Sequence, residues 1–186
     1  MERTPIGALA GAAQSEVTIA GFIAAVRVLK RVIFVVVHDR TGRVQATIDR
    51  SPNDPIRDVE QVALSLTPGS AVRVRGTVNE NLAVKAGGLE LLVSSIEIAG
   101  AAEPGLPIDE QSAPDLQLDW RFLGLRRSEN LLVFEVQTTA ERAMREYWAR
   151  HSFIELHTPK LMHSASESGA DTFATPYFEL GTAYLA

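Results

Sequence analysis

The feature that most constrains the fold is a series of five short apolar runs in the first half of the chain. They are rich in Val, Ile and Leu and are separated by turn residues, which is typical of β-strands; they read VTIAGFIAAVRVL, VIFVVVH, RVQATID, AVRVRGTV and LELLVSSIEI. Asp39 and Gly42 predict a hairpin turn between the second and third runs. A helical pattern, DPIRDVEQVALSLTPG, lies between the third and fourth. This order predicts a five-stranded OB barrel, whose face suits single-stranded nucleic acid.

The alternation of residue types within the strands predicts which side chains fill the barrel. Side chains alternate between the two faces of a strand, so each run divides into two sets. The aliphatic sets, expected inside, are Ile33, Val35 and Val37 in the second run and Val44, Ala46 and Ile48 in the third. Phe34, Arg43 and Gln45 then point outward on neighbouring strands, where an aromatic ring beside an amide and a guanidinium could bind a base.

A simpler interpretation of the same pattern stays open, in which Phe34 lies under a loop and Arg43 is an ordinary solvated side chain. The first run has no clean alternation, and Gly21 within it is expected to mark a β-bulge.

The second half of the chain has a different character. Residues 101–117 are rich in proline and acidic residues without periodicity, which predicts an exposed linker between a barrel domain (1–100) and a second domain (118–186). A long amphipathic helix is expected from about Ser128 to His151. Its apolar stripe is interpreted as packing surface rather than a cofactor site; it consists of Leu132, Val136, Ala140, Ala143, Met144 and Tyr147.

Composition narrows the classes of protein further. The absence of cysteine excludes disulfides and thiolate metal sites, and the four histidines lack zinc-ligand spacing, so no metal site is expected. No apolar run is long enough to span a membrane, and no signal peptide is expected, which indicates a cytoplasmic protein without a membrane partner. The net charge of −5 is uneven: residues 1–98 carry +1 and residues 99–186 carry −6, which hints at different partners for the two halves.

Several motifs resemble one known family. The segments LDWRFLGLRRSEN, FEVQTTAERAMREYWARHSFIELHTPKLMHSASESGADTF and YFELGTAYLA, together with DRTGRVQ in the barrel, are similar in order and spacing to the aspartyl-/asparaginyl-tRNA synthetase family of class II ligases. The resemblance covers nearly the whole chain. It implies an OB anticodon-binding domain followed by an incomplete α+β class II catalytic domain.

The resemblance implies roles for individual residues. Phe34 matches the aromatic residue that stacks on an anticodon base, Gln45 the amide that reads a base edge, and Arg27 a basic residue at the anticodon. Lys30, Arg31 and Arg43 are possible additional RNA contacts. The partner implied is a tRNA of the Asp or Asn type.

In the second half, the long helix and FIELHTP resemble class II motif 1, in which Pro159 ends a strand and contributes to a homodimer interface. This implies either a homodimer or pairing with a full-length synthetase subunit. SASESGAD (164–171) resembles the loop that closes over the amino acid, and Glu167 matches its acidic residue near the substrate ammonium.

Two motifs of the family have no match in this sequence. No segment matches motif 2 or motif 3, whose arginines bind ATP, so no complete catalytic set is expected; ATP and Mg²⁺ are expected only for a complete synthetase. Three readings follow: a portion of an aspartate–tRNA ligase, a stand-alone RNA-binding paralogue, or a dimerisation module. The strands in TFATPYF and TAYLA are expected to lack partners, so residues 118–186 should be less stable than the barrel or should depend on a dimer partner.

Overall fold

The computed structural model describes residues 3–50, 57–84, 87–164 and 172–185. The chain forms two compact units, residues 1–135 and 136–186. The elements of the first half are β1 (Glu16–Val28), β2 (Val32–Asp39), β3 (Gly42–Asp49), α1 (Arg57–Ser65), β4 (Ala71–Glu80) and β5 (Leu89–Gly100). The five strands form a closed barrel within the first unit, in the order β1-β2-β3-β5-β4. The predicted OB barrel, with its helix between the third and fourth strands, is therefore confirmed.

Burial inside the barrel follows the predicted alternation. In β2, Ile33, Val35 and Val37 are completely buried, and Val44, Ala46 and Ile48 of β3 are at most 2% exposed. Residues of opposite parity, including Phe34 and Gln45, remain partly exposed. The barrel interior is thus aliphatic because branched side chains fill it from every strand, and the polar sets are left on the outer face.

The irregularity in β1 does not lie where the sequence suggested. The pairing of β1 with β2 shifts between Ile23 and Ala25, whereas Gly21 keeps its register with β4. The prediction of a bulge at Gly21 is therefore wrong. A Cβ at Gly21 would lie 2.3 Å from the carbonyl oxygen of His38. Glycine is needed there because two backbones approach closely, not because a residue is inserted.

An N-terminal 3-10 helix, Ile6–Ala12, packs on the barrel. Its Ile6 and Leu9 side chains are 5% and 2% exposed and belong to the barrel core. Asp39, in the hairpin turn between β2 and β3, accepts a hydrogen bond from the backbone N–H of Ile6 at 3.1 Å. The turn predicted at Asp39 and Gly42 is thus also the attachment point of the N-terminal segment.

The segment predicted as a linker is anchored to the barrel at its start. The Thr67 hydroxyl donates to the carbonyl of Ala102, and the Ser70 hydroxyl accepts from the Ala102 N–H at 3.1 Å. Ile108 is buried, at 9% exposed. Two short helices follow, α2 (Pro114–Asp119) and α3 (Arg121–Gly124). The division into domains at 101–117 stays a prediction.

The long helix α4 covers Ser128–Arg150, within one residue of its predicted end. None of its residues is buried, and Leu132, Val136 and Tyr147 of the predicted stripe are more than half exposed. The expectation that this stripe packs is therefore not met within the described chain. An amphipathic pattern shows that a helix has an apolar face, but burial requires a covering partner.

The second unit contains three short strands, β6 (Leu161–Met162), β7 (Ala174–Pro176) and β8 (Thr182–Leu185), with a 3-10 helix (Phe178–Leu180) before β8. The strands form one small sheet in the order β6-β8-β7. The last two strands were expected to lack partners, and this is wrong. They pair with each other, Thr175 opposite Ala183, because a short loop brings them together as an antiparallel hairpin.

The strand expected before Pro159 is also not formed. Residues 153–159 belong to no sheet among the described residues, and Pro159 is exposed. A β-strand needs a neighbour for its hydrogen bonds, so local sequence preference alone does not produce one. Within the described ranges, no helix combines the length and apolar character that membrane crossing requires.

Candidate nucleic-acid interface

The outer face of the barrel brings the predicted binding residues into one continuous band. Paired residues of neighbouring strands lie on the same face of a sheet. Phe34 is paired with Arg27 of β1 on one side and with Thr47 of β3 on the other. In the adjacent row, Gln45 is paired with Val36 and with Glu90 of β5. The structure thus brings Phe34, Gln45 and Arg27 together, as the strand parity predicted for the first two.

Glu90 is a functional candidate that the sequence analysis missed. It is only 7% exposed, and it lies between Gln45 of β3 and Asn79 of β4. Its Oε2 accepts a hydrogen bond from the Thr47 hydroxyl at 2.8 Å. Its Oε1 accepts from the side-chain amides of Asn79 and Asn81, at 3.2 and 3.1 Å.

These contacts hold the carboxylate in one orientation beside Gln45. A carboxylate has about four acceptor positions, and three are used here, so one remains for a ligand N–H. The signal in the sequence was a glutamate at an outward position within an otherwise aliphatic run, LELLV, at the start of β5. Alternation alone could not distinguish it from an ordinary solvated residue.

The predicted basic residues lie at three places around this band: on β1, in the turn between β1 and β2, and near the start of β3. Arg27 is paired with Phe34, while Lys30 and Arg31 are exposed in the turn between β1 and β2. Among the described residues these three form no ion pair. Arg50 is different, because it is bound to Glu60 at 2.7 Å and to the carbonyl of Leu29, also at 2.7 Å. Arg50 therefore fixes the turn and leaves the neighbouring cations available for phosphate contacts.

Arg43 lies at the opposite end of the face, paired with His38. Burial lowers the pKa of His38, and the positive charges of Arg43 and Arg126 lower it further, against an opposing effect of Asp39. The imidazole is therefore neutral at physiological pH. The structure places Arg43 in the row of His38 rather than in that of Phe34.

Two further predicted residues are not part of this interface. Pro159 lies in the second unit, in the exposed segment that contains Phe153, Ile154 and Leu156, whose side chains are 68%, 84% and 78% exposed. Glu167 falls outside the described residues. Within the described ranges no group of three or more histidine, aspartate or glutamate side chains could hold a metal ion.

Comparison with known proteins gives two matching families. The family described as "OB-fold nucleic acid binding domain" matches residues 17–99, and "tRNA synthetases class II (D, K and N)" matches residues 113–186. The aspartate–tRNA(Asp) ligase of Picrophilus torridus is 38% identical over 168 residues, covering 88% of this chain and 38% of that protein. The aspartate–tRNA(Asp/Asn) ligase of Methanopyrus kandleri is 39% identical over 175 residues, covering 92% and 40%.

Among solved structures, the asparaginyl-tRNA synthetase of Pyrococcus horikoshii complexed with asparaginyl-adenylate superimposes with a TM-score of 0.88 at 28% identity, covering all of this chain and 43% of that one. This chain thus spans about two fifths of the length of the proteins it matches. Its two matched segments follow one another in the order of barrel and class II region. The chain therefore belongs to the aspartyl-/asparaginyl-tRNA synthetase family, with an OB-fold domain followed by part of the class II synthetase domain.

Proposed function

We propose that the outer face of the barrel binds the anticodon of a tRNA of the Asp or Asn type, as the tRNA-binding portion of an aspartate–tRNA ligase. The observation that carries the proposal is the placement of the Phe34 ring on the outer face, paired with Arg27 and diagonal to Gln45 and the oriented carboxylate of Glu90. The names of the relatives support the choice of RNA and of amino acid.

Each group in the band has a distinct role in binding the anticodon. The Phe34 ring stacks on an unpaired base, which is worth about 1–3 kcal/mol per base. The amide of Gln45 offers both donors and an acceptor to a base edge, whereas the Glu90 carboxylate accepts only and therefore selects an edge with N–H groups. Arg27, Lys30, Arg31 and Arg43 contact phosphates, which contributes affinity without sequence preference.

Replacing Phe34 with alanine tests the stacking contact. We expect tRNA affinity to fall about tenfold or more, from the loss of one base–aromatic stack. Filter binding across a salt series measures this, because phosphate contacts give a log-linear dependence on salt that the Phe34→Ala variant should retain. Phe178→Ala is the matched control, since Phe178 is 88% exposed and lies in the second unit. Equal tRNA affinity in Phe34→Ala and wild type would refute the proposed face.

Replacing Glu90 with glutamine tests base selection separately from affinity. The substitution keeps the size of the side chain but puts an N–H₂ where the structure has an acceptor oxygen. We expect the preference of the chain for its cognate anticodon stem-loop over one with a changed base to shrink by about 1–3 kcal/mol. Competition binding between the two stem-loops measures this preference. Phe34→Ala, in contrast, should weaken both stem-loops together, and an unchanged preference in Glu90→Gln would remove Glu90 from the reading site.

The parent reaction attaches aspartate to tRNA through an aspartyl-adenylate and uses ATP and Mg²⁺. The 186-residue chain by itself is proposed not to carry it out, because no segment matches motif 2 or motif 3, whose arginines would neutralise the reacting phosphates. Pyrophosphate exchange with aspartate and ATP measures adenylate formation. No exchange above background is expected, and exchange at the rate of a complete synthetase would contradict the proposal.

A second role, as a dimerisation module, is favoured by the exposed apolar residues of the second unit. Val136 and Tyr147 of α4 are 60% and 58% exposed, and Phe153 and Ile154 directly after it are more exposed still. These residues and Pro159 are proposed to contact a second copy or a complete synthetase subunit. Sedimentation velocity should show a concentration-dependent dimer that Ile154→Asp weakens. A monomer at all concentrations, alone and mixed with a complete synthetase, would exclude this role.

A further inference from the structure

A cleft of about 420 Å³ lies within the first unit, between one end of the barrel and the segment that follows α3. Its walls are mainly apolar, and include Ala20, Phe22 and Val72 of the barrel and Leu125 and Leu131 beyond it. The volume falls in the range of about 300–1,000 Å³ that is usual for small-molecule sites. It is larger than an inorganic ion needs, so a ligand would have an organic part that contacts the apolar wall.

The charged groups at the cleft are mostly positive. Arg3, Arg40 and Arg126 line it, against Asp39 as the only acidic residue among those that line it. The Asp39 carboxylate is already occupied: it accepts hydrogen bonds from the backbone N–H groups of Ile6, Thr41 and Gly42 and from the Thr41 hydroxyl. His38, whose pKa is lowered, is neutral and adds no charge. The cleft thus has an excess of two positive charges.

Arg3 lies 3.8 Å from the Asp39 carboxylate, whereas Arg40 and Arg126 have no carboxylate partner among the described residues. Of these two, Arg126 has its position fixed by neighbouring groups. Its guanidinium lies 3.7 Å from the centre of the Phe22 ring, and its Nη1 is 3.4 Å from the carbonyl oxygen of Gly69. No carboxylate pairs with it among the described residues. Burial lowers the pKa of Arg126, which reflects a cation that has lost part of its hydration. The Phe22 ring covers the guanidinium on one side, and the N–H groups that do not face Gly69 remain for an anion.

The cleft lies on the same outer face of the barrel as Phe34, but at a different cross-strand pair of residues. Phe22 is paired with His38 of β2, four residues along that strand from Phe34. Four residues of a strand span about 13 Å. The two sites are therefore separate, yet close enough for a single RNA strand to reach both.

We propose that this cleft binds a nucleotide phosphate, with Arg126, assisted by Arg40 and Arg3, as the anion contact and with the apolar wall against the sugar or base. The guanidinium fork matches two phosphate oxygens, and the wall excludes water from the contact. The nucleotide can be a free mononucleotide or a residue of a bound tRNA, since both present the same chemistry. The site does not depend on the Phe34 face, and it can exist whether or not that face binds an anticodon.

The test uses the full chain with Arg126→Met, which keeps an apolar stem over Phe22 but removes the charge. Calorimetric titrations with adenosine monophosphate and with inorganic phosphate measure binding of free ligands, and filter binding measures tRNA. We expect Arg126→Met to lose about tenfold or more in affinity for the ligand that binds, and Arg126→Lys to recover part of this loss. Arg142→Met, at an arginine whose side chain is 73% exposed on α4, is the control and should bind as wild type does.

The outcomes separate the two sources. Saturable binding of adenosine monophosphate that Arg126→Met weakens and Phe34→Ala does not would support a free mononucleotide. Without such binding, a loss of tRNA affinity in Arg126→Met together with a lower salt slope would support an RNA phosphate. The proposal is overturned if Arg126→Met changes the affinity for none of the three probes. Equal losses in Arg126→Met and in the control Arg142→Met would also overturn it, since the loss would then not be specific to the cleft.

Discussion

Asp39 shows how one side chain can connect two parts of the first unit. Its carboxylate is 5% exposed and accepts hydrogen bonds from the hairpin turn and from the N–H of Ile6 in the N-terminal 3-10 helix. Burial acts to raise the pKa of Asp39, but the hydrogen bonds from Thr41 and Ile6 and the charge of Arg3 outweigh it, so the pKa is lowered overall. The ionised form therefore stabilises the folded state.

Replacing Asp39 with alanine leaves these backbone N–H groups without an acceptor, and we expect a loss of about 1–3 kcal/mol in the free energy of unfolding. Chemical denaturation measures this loss. Asp49→Ala is the control, because Asp49 is an exposed carboxylate on the neighbouring strand. If both variants lost the same free energy, the contacts of Asp39 would not be the cause.

The pH dependence of this contribution has a definite sign. Because the pKa of Asp39 is lower in the folded state, its contribution is fully present above the ordinary aspartate pKa of about 3.9 and is lost as the pH falls through the folded value. The difference in unfolding free energy between wild type and Asp39→Asn should therefore be largest near neutral pH and should shrink below about pH 4. A difference that grew on acidification would contradict the assigned direction.

At this scale, the sequence predicted the outward positions of Phe34 and Gln45 because strand alternation is local information. It did not identify Glu90, whose hydrogen bonds come from Thr47 of β3, Asn79 of β4 and Asn81 just after β4. It also could not place Arg126 over the Phe22 ring, since these residues are distant in the sequence and belong to different elements.

At the scale of elements, β1 illustrates why a glycine in a strand has more than one explanation. At Gly21 the chain approaches β2 so closely that a Cβ would lie 2.3 Å from the His38 carbonyl oxygen and 2.9 Å from its carbon. These are backbone atoms, so a neighbouring side chain cannot simply rotate away. The sequence alone could not distinguish this close approach from the bulge, which the structure places between Ile23 and Ala25.

Gly21→Ala should therefore force the two strands apart and destabilise the barrel by about 1–3 kcal/mol. Gly11→Ala is the matched control, since no atom lies within 4 Å of a Cβ built there. That substitution should be neutral or stabilise by up to about 1 kcal/mol, by restricting the unfolded chain. Thermal unfolding of the two variants measures the difference, and equal stabilities would show that the strands can adjust without cost.

The limits of α4 were predictable, but its environment was not. Apolar periodicity placed the helix to within one residue of Arg150, because that signal comes from the helix itself. Whether Leu132 and Tyr147 are covered depends on residues elsewhere, and here they stay exposed. The same reason explains residues 153–159, which have strand-forming composition but no neighbouring strand among the described residues.

At the scale of the whole molecule, the two units differ in how much apolar surface they bury. The core cluster comes entirely from the first unit, where the barrel strands and α1 supply most of its members. In the second unit, Ala183 is the only buried hydrophobic residue among those described. Since apolar burial is the main favourable term in folding, at about 25 cal/mol per Å², the second unit has much less to stabilise it.

This contrast predicts the order in which a protease attacks the chain. Local opening requires little free energy where few apolar contacts must be broken, so the first cuts should fall beyond about residue 115 and leave a barrel fragment. Limited proteolysis followed by mass spectrometry identifies these cuts. The Gly21→Ala variant provides an internal comparison, because it should speed cleavage within the barrel without changing cleavage in the second unit. Initial cuts inside β1–β5 of the wild type would show that the barrel is not the more stable unit, and the assignment of stability from burial would fail.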